Sequence, residues 1–156
     1  MAKMFMFLAA AALCLIGPAG HVHAKETGGC GSLERMFPGK VKEERSVCKV
    51  EFVRRDLQVT HMGLKMPPEL MELALMANFG TAGGQTVLMG EFALLEGEVN
   101  PVIDALRRGG AEITALHNHM MGEHPRILYL HFQGMGDRDV LARAVQNAVR
   151  SVAKGT

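Results

Sequence analysis

The fold class that this 156-residue sequence predicts is α+β, a mainly antiparallel sheet with two helices packed on one face as a two-layer sandwich. Three observations carry that reading. The stretches 111–119 and 126–132 alternate apolar and polar residues, as half-buried strands do. Two amphipathic helical patterns fall at 100–110 and 136–154. The later half therefore runs strand, helix, strand, strand, helix, an order that lets both helices cover the same side of the sheet.

The chain opens on Lys3, an apolar run from Met4 to Ile16, then Gly17, Pro18 and "VHA" ending at Ala24. This is the pattern of a secretory signal peptide over residues 1–24. The run is shorter than the roughly 20 residues a spanning helix needs, so no transmembrane segment is expected in the mature chain. Cys14 follows Leu13 rather than a small residue, which argues against lipidation there. An exported protein, periplasmic or secreted, is the expectation. Removal of residues 1–24 takes Lys3 from the 17 basic residues and none of the 16 acidic ones, leaving a mature charge of zero. No basic stripe is present for a phosphate backbone, so nucleic acid is not an expected partner.

Residues 25–46 are Gly-rich and charged without a sustained apolar period and read as a flexible leader. A single domain is expected over 47–154. Cys30 and Cys48 form an even pair in a compartment that tolerates disulfides, and whether they join stays open, because sequence does not give their approach. Within "SVCKVEFVRRDLQVTHMG", Cys48, Val50 and Phe52 make one short strand and Leu57 and Val59 a second. Pro67 and Pro68 then break any ladder. "LMELALMANFG" suits a short helix or a buried strand equally, and "QTVLMGEFALL" is a core strand. In "NPVIDALRRGG", Asn100 is the expected cap, Pro101 suits the first turn and Gly109 closes the helix. Asp137 is the expected cap of the last helix.

The stretch "TALHNHMMGEHPRILYLHF" holds four of the seven histidines. Alternation sends Ile113, Ala115, His117 and His119 to one face. On the returning strand Leu128, Leu130 and Phe132 belong to the core, so Tyr129, His131 and Gln133 face away from it. If His131 neighbours His117, three imidazoles converge: His117, His119 and His131. Three histidines around one ion with a fourth position for water is a catalytic zinc arrangement, and Met120 and Met121 nearby suit copper equally. Glu91 or Glu123 is the candidate carboxylate ligand or general acid–base. Plainer uses compete: a polar hairpin surface for the histidines, gap-filling for the methionines, and a pairing slip that turns His131 away. "GTAGG" lacks the lysine and spacing of a phosphate loop, and no serine sits in G-x-S-x-G.

The segments "EVNPV" (98–102), "TALHNH" (114–119) and "GEHPRILYLHFQGMGD" (122–137) resemble the LppY/LpqO family of bacterial exported proteins and lipoproteins, and the similarity runs more loosely back to about Val47. The resemblance implies export and places weight on Glu98, Asn100, Pro101, His117, Asn118, His119 and His131, without naming a reaction, since the family's function is unknown. This chain departs from it in having Glu91 where Asp is commoner, no histidine within Gln133 to Met135, and a plainer strand in "LALMANFG". Two functions follow: a metal-binding domain with metal-dependent hydrolase chemistry, or a non-catalytic module that binds a small ligand or a cell-envelope component.

Overall fold

A computed structural model describes residues 29–152. The signal peptide expected over 1–24, the first residues of the leader and the end of the domain at 153–154 lie outside the described residues. The elements are α1 (Gly31–Met36), β1 (Val41–Glu44), β2 (Val47–Val53), β3 (Val59–His61), β4 (Leu64–Met66), β5 (Ala74–Ala82), β6 (Gln85–Leu94), α2 (Glu96–Arg108), β7 (Glu112–Asn118), β8 (Leu128–Gly136) and α3 (Arg138–Val152). Six strands form one antiparallel sheet in the order β1-β2-β5-β6-β8-β7, and β3 and β4 form a separate hairpin. The fold is α+β, as the sequence predicts.

One face of the sheet carries the main core. Leu75, Ala77 and Phe79 of β5, Leu88, Phe92 and Leu94 of β6, and Leu130 and Phe132 of β8 meet Val102 and Leu106 of α2 and Leu141, Val145 and Ala148 of α3. The period-two burial of β5 decides its character. Its buried residues alternate with Met76 and Asn78, which a helix could not do. Each large apolar side chain buried this way contributes roughly 1.5–3 kcal/mol. Phe92 and Phe132 meet edge to face with ring centres 4.9 Å apart. Gly90 makes room for that pair, because a Cβ there would overlap the Phe132 ring.

Three findings refine the sequence reading. Residues 31–44, read as leader, hold α1 and β1: Leu33 and Phe37 are buried in the main core, and Cys30 is joined to Cys48 of β2 by a disulfide. A six-residue helix with one buried residue, Leu33, and a buried Phe37 just past its end is too short to announce itself by periodicity. The helix expected to start at Asn100 starts at Glu96 instead, because the Leu95 N–H donates to the Glu98 carboxylate at 2.8 Å, leaving Asn100 exposed inside the helix. Asp137, by contrast, does cap α3, accepting from the Val140 N–H at 2.9 Å.

The third finding concerns β7. Ile113 pairs with Phe132 but Ala115 pairs with His131, so Thr114 is an extra residue, a β-bulge. Ile113 therefore turns toward the helices, where it packs against the core, while Ala115 and His117 face the other side with Glu112. Unbroken alternation, which put Ile113 and His117 on one face, does not hold across Thr114.

The opposite face of the sheet is covered over only one part. There Leu57, Val59, Met71 and Leu73 pack on Ala93, Ile127 and Tyr129 as a second, smaller core. Beyond it the face is open, with Met89 and Met135 exposed. No helix among the described residues is long and apolar enough to cross a membrane.

Candidate functional site

The candidate site lies where the covered part of that outer face meets the open part. Register builds it in two rows: Glu91 of β6, His131 of β8 and Ala115 of β7 lie side by side, and Ala93, Tyr129 and His117 form the next row. His117 is thus directly opposite Tyr129 and diagonal to His131. A diagonal pair is within reach of imidazole side chains. The two rings stack with centroids 5.1 Å apart, and their Nε2 atoms are 2.9 Å apart. Glu91 Oε2 approaches His131 Nε2 to 3.2 Å, and both side chains are about one-third exposed, at 31% and 34%.

Hydrogen counting says what this knot can do. His117 Nδ1 is 2.9 Å from the Asn118 carbonyl oxygen. A carbonyl only accepts, so in its neutral form the His117 ring carries the proton on Nδ1 and presents a lone pair at Nε2. His131 Nε2 then faces two acceptors, the His117 lone pair and the Glu91 carboxylate, with one N–H to offer. Three electron-rich atoms share one hydrogen, and a cation would satisfy all three.

His119 takes a different place. Its Nδ1 is 2.8 Å from Glu123 Oε2, and its ring lies against Tyr129 with centroids 4.5 Å apart. Glu123 is buried and also accepts from the Met120 N–H at 3.3 Å and the Ile127 N–H at 3.1 Å. Its role is to hold the 119–127 loop and to aim His119, as a carboxylate behind an imidazole does. The structure therefore brings together His117, His131 and Glu91, and sets His119 and Glu123 behind Tyr129. Met120 and Met121 stand exposed on that loop. Among the described residues, no three His, Cys, Asp or Glu side chains already surround one point in ligand geometry.

Tyr129 was not singled out by sequence reasoning. Buried between the rings of His117 and His119, it donates its hydroxyl to the Glu72 carbonyl at 3.0 Å, with the Met71 carbonyl at 3.3 Å. Burial, then the charges of Glu91, Glu72 and Glu123, push its ionisation well above the ordinary tyrosine value. The same carboxylates make this part of the face favourable to cations. Its signal in the sequence was an aromatic between two outward positions of a histidine strand, which alternation marks only as facing out.

Glu98, weighted by the family resemblance, is structural here. Its carboxylate takes both arms of Arg54, at 3.0 and 2.9 Å, and the pair is almost wholly buried beneath the start of α2. Asn100 and Pro101 lie on the same helix, away from the histidines, and Asn118 contributes its carbonyl to His117.

No curated protein and no solved structure matches the chain. A family model described as Domain of Unknown Function (DUF1259) matches residues 31–151, which spans every element from α1 to the last turn of α3. By that match the chain belongs to this family of proteins of unknown function.

Proposed function

We propose that this chain is an exported protein of the LppY/LpqO group that holds a divalent zinc or copper ion on the outer face of its sheet, with His117 Nε2, His131 Nε2 and the Glu91 carboxylate as ligands. The observation that carries the reading is the 2.9 Å approach of two imidazole nitrogens with a carboxylate oxygen 3.2 Å from one of them. Zinc–nitrogen bonds of about 2.0–2.1 Å in a tetrahedron separate the nitrogens by about 3.3 Å, so the rings need part by only a few tenths of an ångström. The Asn118 carbonyl behind His117 fixes the tautomer a ligand requires. The apolar run at the N-terminus supports export, and the Cys30–Cys48 disulfide fits an oxidising compartment.

Holding the ion is favoured over hydrolysis at it. Three protein ligands leave a position for water, but a hydrolase also needs a free base, and Glu123 is buried with its oxygens engaged by His119, Met120 and Ile127. Elemental analysis of the purified protein, prepared without a histidine tag, tests the proposal beside a His117→Ala/His131→Ala variant. About one equivalent of zinc or copper in the first and none in the second supports it. Equal metal in both, or none in either after incubation with each ion, refutes it.

A further inference from the structure

The six-stranded sheet has two free edges, and they are unlike. β1 is short and guarded by charge, with Lys42 and Lys49 both paired to Glu44. β7 carries no charge from Ile113 to Leu116, and all of its residues but Ile113 are exposed, Leu116 at 46%. Facing order along β7 reads the same from either end. Glu112 faces outward and Ile113 toward the helices, Thr114 and Ala115 form the bulge, Leu116 faces the helices and His117 outward. The backbone follows the side chains. His119 N–H donates to the Ile127 carbonyl at 2.9 Å, so Ala115 and His117, which alternate with it, also turn their N–H and C=O to β8. Ile113 and Leu116, facing the other way, offer theirs to the open edge.

We propose that β7 pairs antiparallel with β7 of a second copy of this chain, about a two-fold axis between Thr114 and Ala115, so that one sheet runs through both molecules. In that register Ile113 lies opposite Leu116 of the second copy, each turning free backbone groups to the other. Both side chains lie on the helical side and make an apolar cross-strand pair. On the outer face Glu112 lies opposite His117 of the second copy, a carboxylate against an imidazole. Each pairing occurs twice, and the small Thr114 and Ala115 meet at the axis. The bulge is what permits this register: unbroken alternation would put Ile113 and Leu116 on opposite faces, where they could not lie across from each other. The surface adjoins the His117, His131 and Glu91 group without needing a metal there.

Sedimentation equilibrium of the purified protein tests it, run with chelator present so that the outcome is separate from that of the metal reading. A monomer–dimer equilibrium is expected, a weak one because a single strand pair is a small interface. Amide exchange at Ile113 and Leu116 is expected to slow as protein concentration rises. Leu116→Pro removes an N–H that β8 does not use and should leave a folded monomer at every concentration. Leu116→Lys keeps the backbone, sets a charge opposite Ile113 of the second copy, and should weaken the dimer by roughly tenfold or more. A parent that stays monomeric at every concentration, a dimer that either variant leaves intact, or exchange that slows at Val41–Glu44 of β1 instead would each overturn the proposal.

Discussion

Arg54 and Glu98 meet through both arms of the guanidinium, 3.0 and 2.9 Å from the two carboxylate oxygens, with side chains only 3% and 1% exposed. Burial works against the charge on Arg54, and the carboxylates of Asp56 and Glu98 outweigh it, holding its pKa above the ordinary value. The pair joins the end of β2 to the start of α2, and Arg54 also donates to the Ala93 carbonyl of β6 at 2.8 Å. Removing one partner leaves an uncompensated buried charge. Glu98→Ala is expected to cost about 3–5 kcal/mol, read as a lower urea midpoint, whereas Arg54→Met/Glu98→Leu costs less than the two single changes summed. Additive costs would show that the pair does not act as a unit.

The Cys30–Cys48 bridge closes a loop of sequence separation 18 and pins α1 and β1 to the sheet. Loop-closure entropy for that length is worth about 3 kcal/mol. Cys30→Ala/Cys48→Ala is expected to lose about that much in urea unfolding, and hydrogen exchange should quicken first in residues 31–44. A variant as stable as the parent would show that α1 holds by packing alone.

Tyr129 is the only tyrosine in the chain, so its ionisation can be followed by ultraviolet absorption without interference. Its folded pKa is raised above the unfolded value, so the stability it contributes is complete below about pH 10 and is lost as pH rises beyond that. The tyrosinate band is expected near pH 10 in urea and well above it in the folded protein. Glu91→Gln removes the largest of the neighbouring charges and should bring the folded onset down. An onset at the ordinary pH in the native protein would contradict the burial of the ring.

Gly90 precedes the candidate ligand Glu91 and lies over the Phe132 ring, so Gly90→Ala is expected to overpack the main core by about 1–3 kcal/mol. Differential scanning calorimetry checks it. An unchanged melting temperature would mean that Phe132 has space to move.

Much of the architecture was legible because its long elements carry strong periods. The stripe Leu141, Ala144, Val145 and Ala148 announces α3, and Leu128, Leu130 and Phe132 declare the buried side of β8. What escaped was decided by contacts distant in sequence. The start of α2 depends on Arg54, 44 residues before Glu98. The fate of α1 depends on a disulfide whose formation sequence alone left open. At the candidate site, residue types and alternation put His117, His119 and His131 on the outward face and named Glu91 as a candidate, while the approach of His131 to His117 stayed conditional on the turn register. They could not show Glu123 turning inward to hold His119, because that depends on the closed shape of a loop.

The bulge at Thr114 decides more about this surface than any side chain on it. Had Thr114 paired in line with His131 instead of bulging, His117 would stand opposite Leu128 and point into the helical layer, while Leu116 would come out beside Tyr129. One inserted residue thus acts as a phase shifter: it lets Ile113 obey the core and His117 obey the exterior on the same short strand. A strand that took Thr114 into the ladder would keep every candidate ligand in its sequence and still be unable to assemble them, since the site is written in the parity of the strand as much as in its residues.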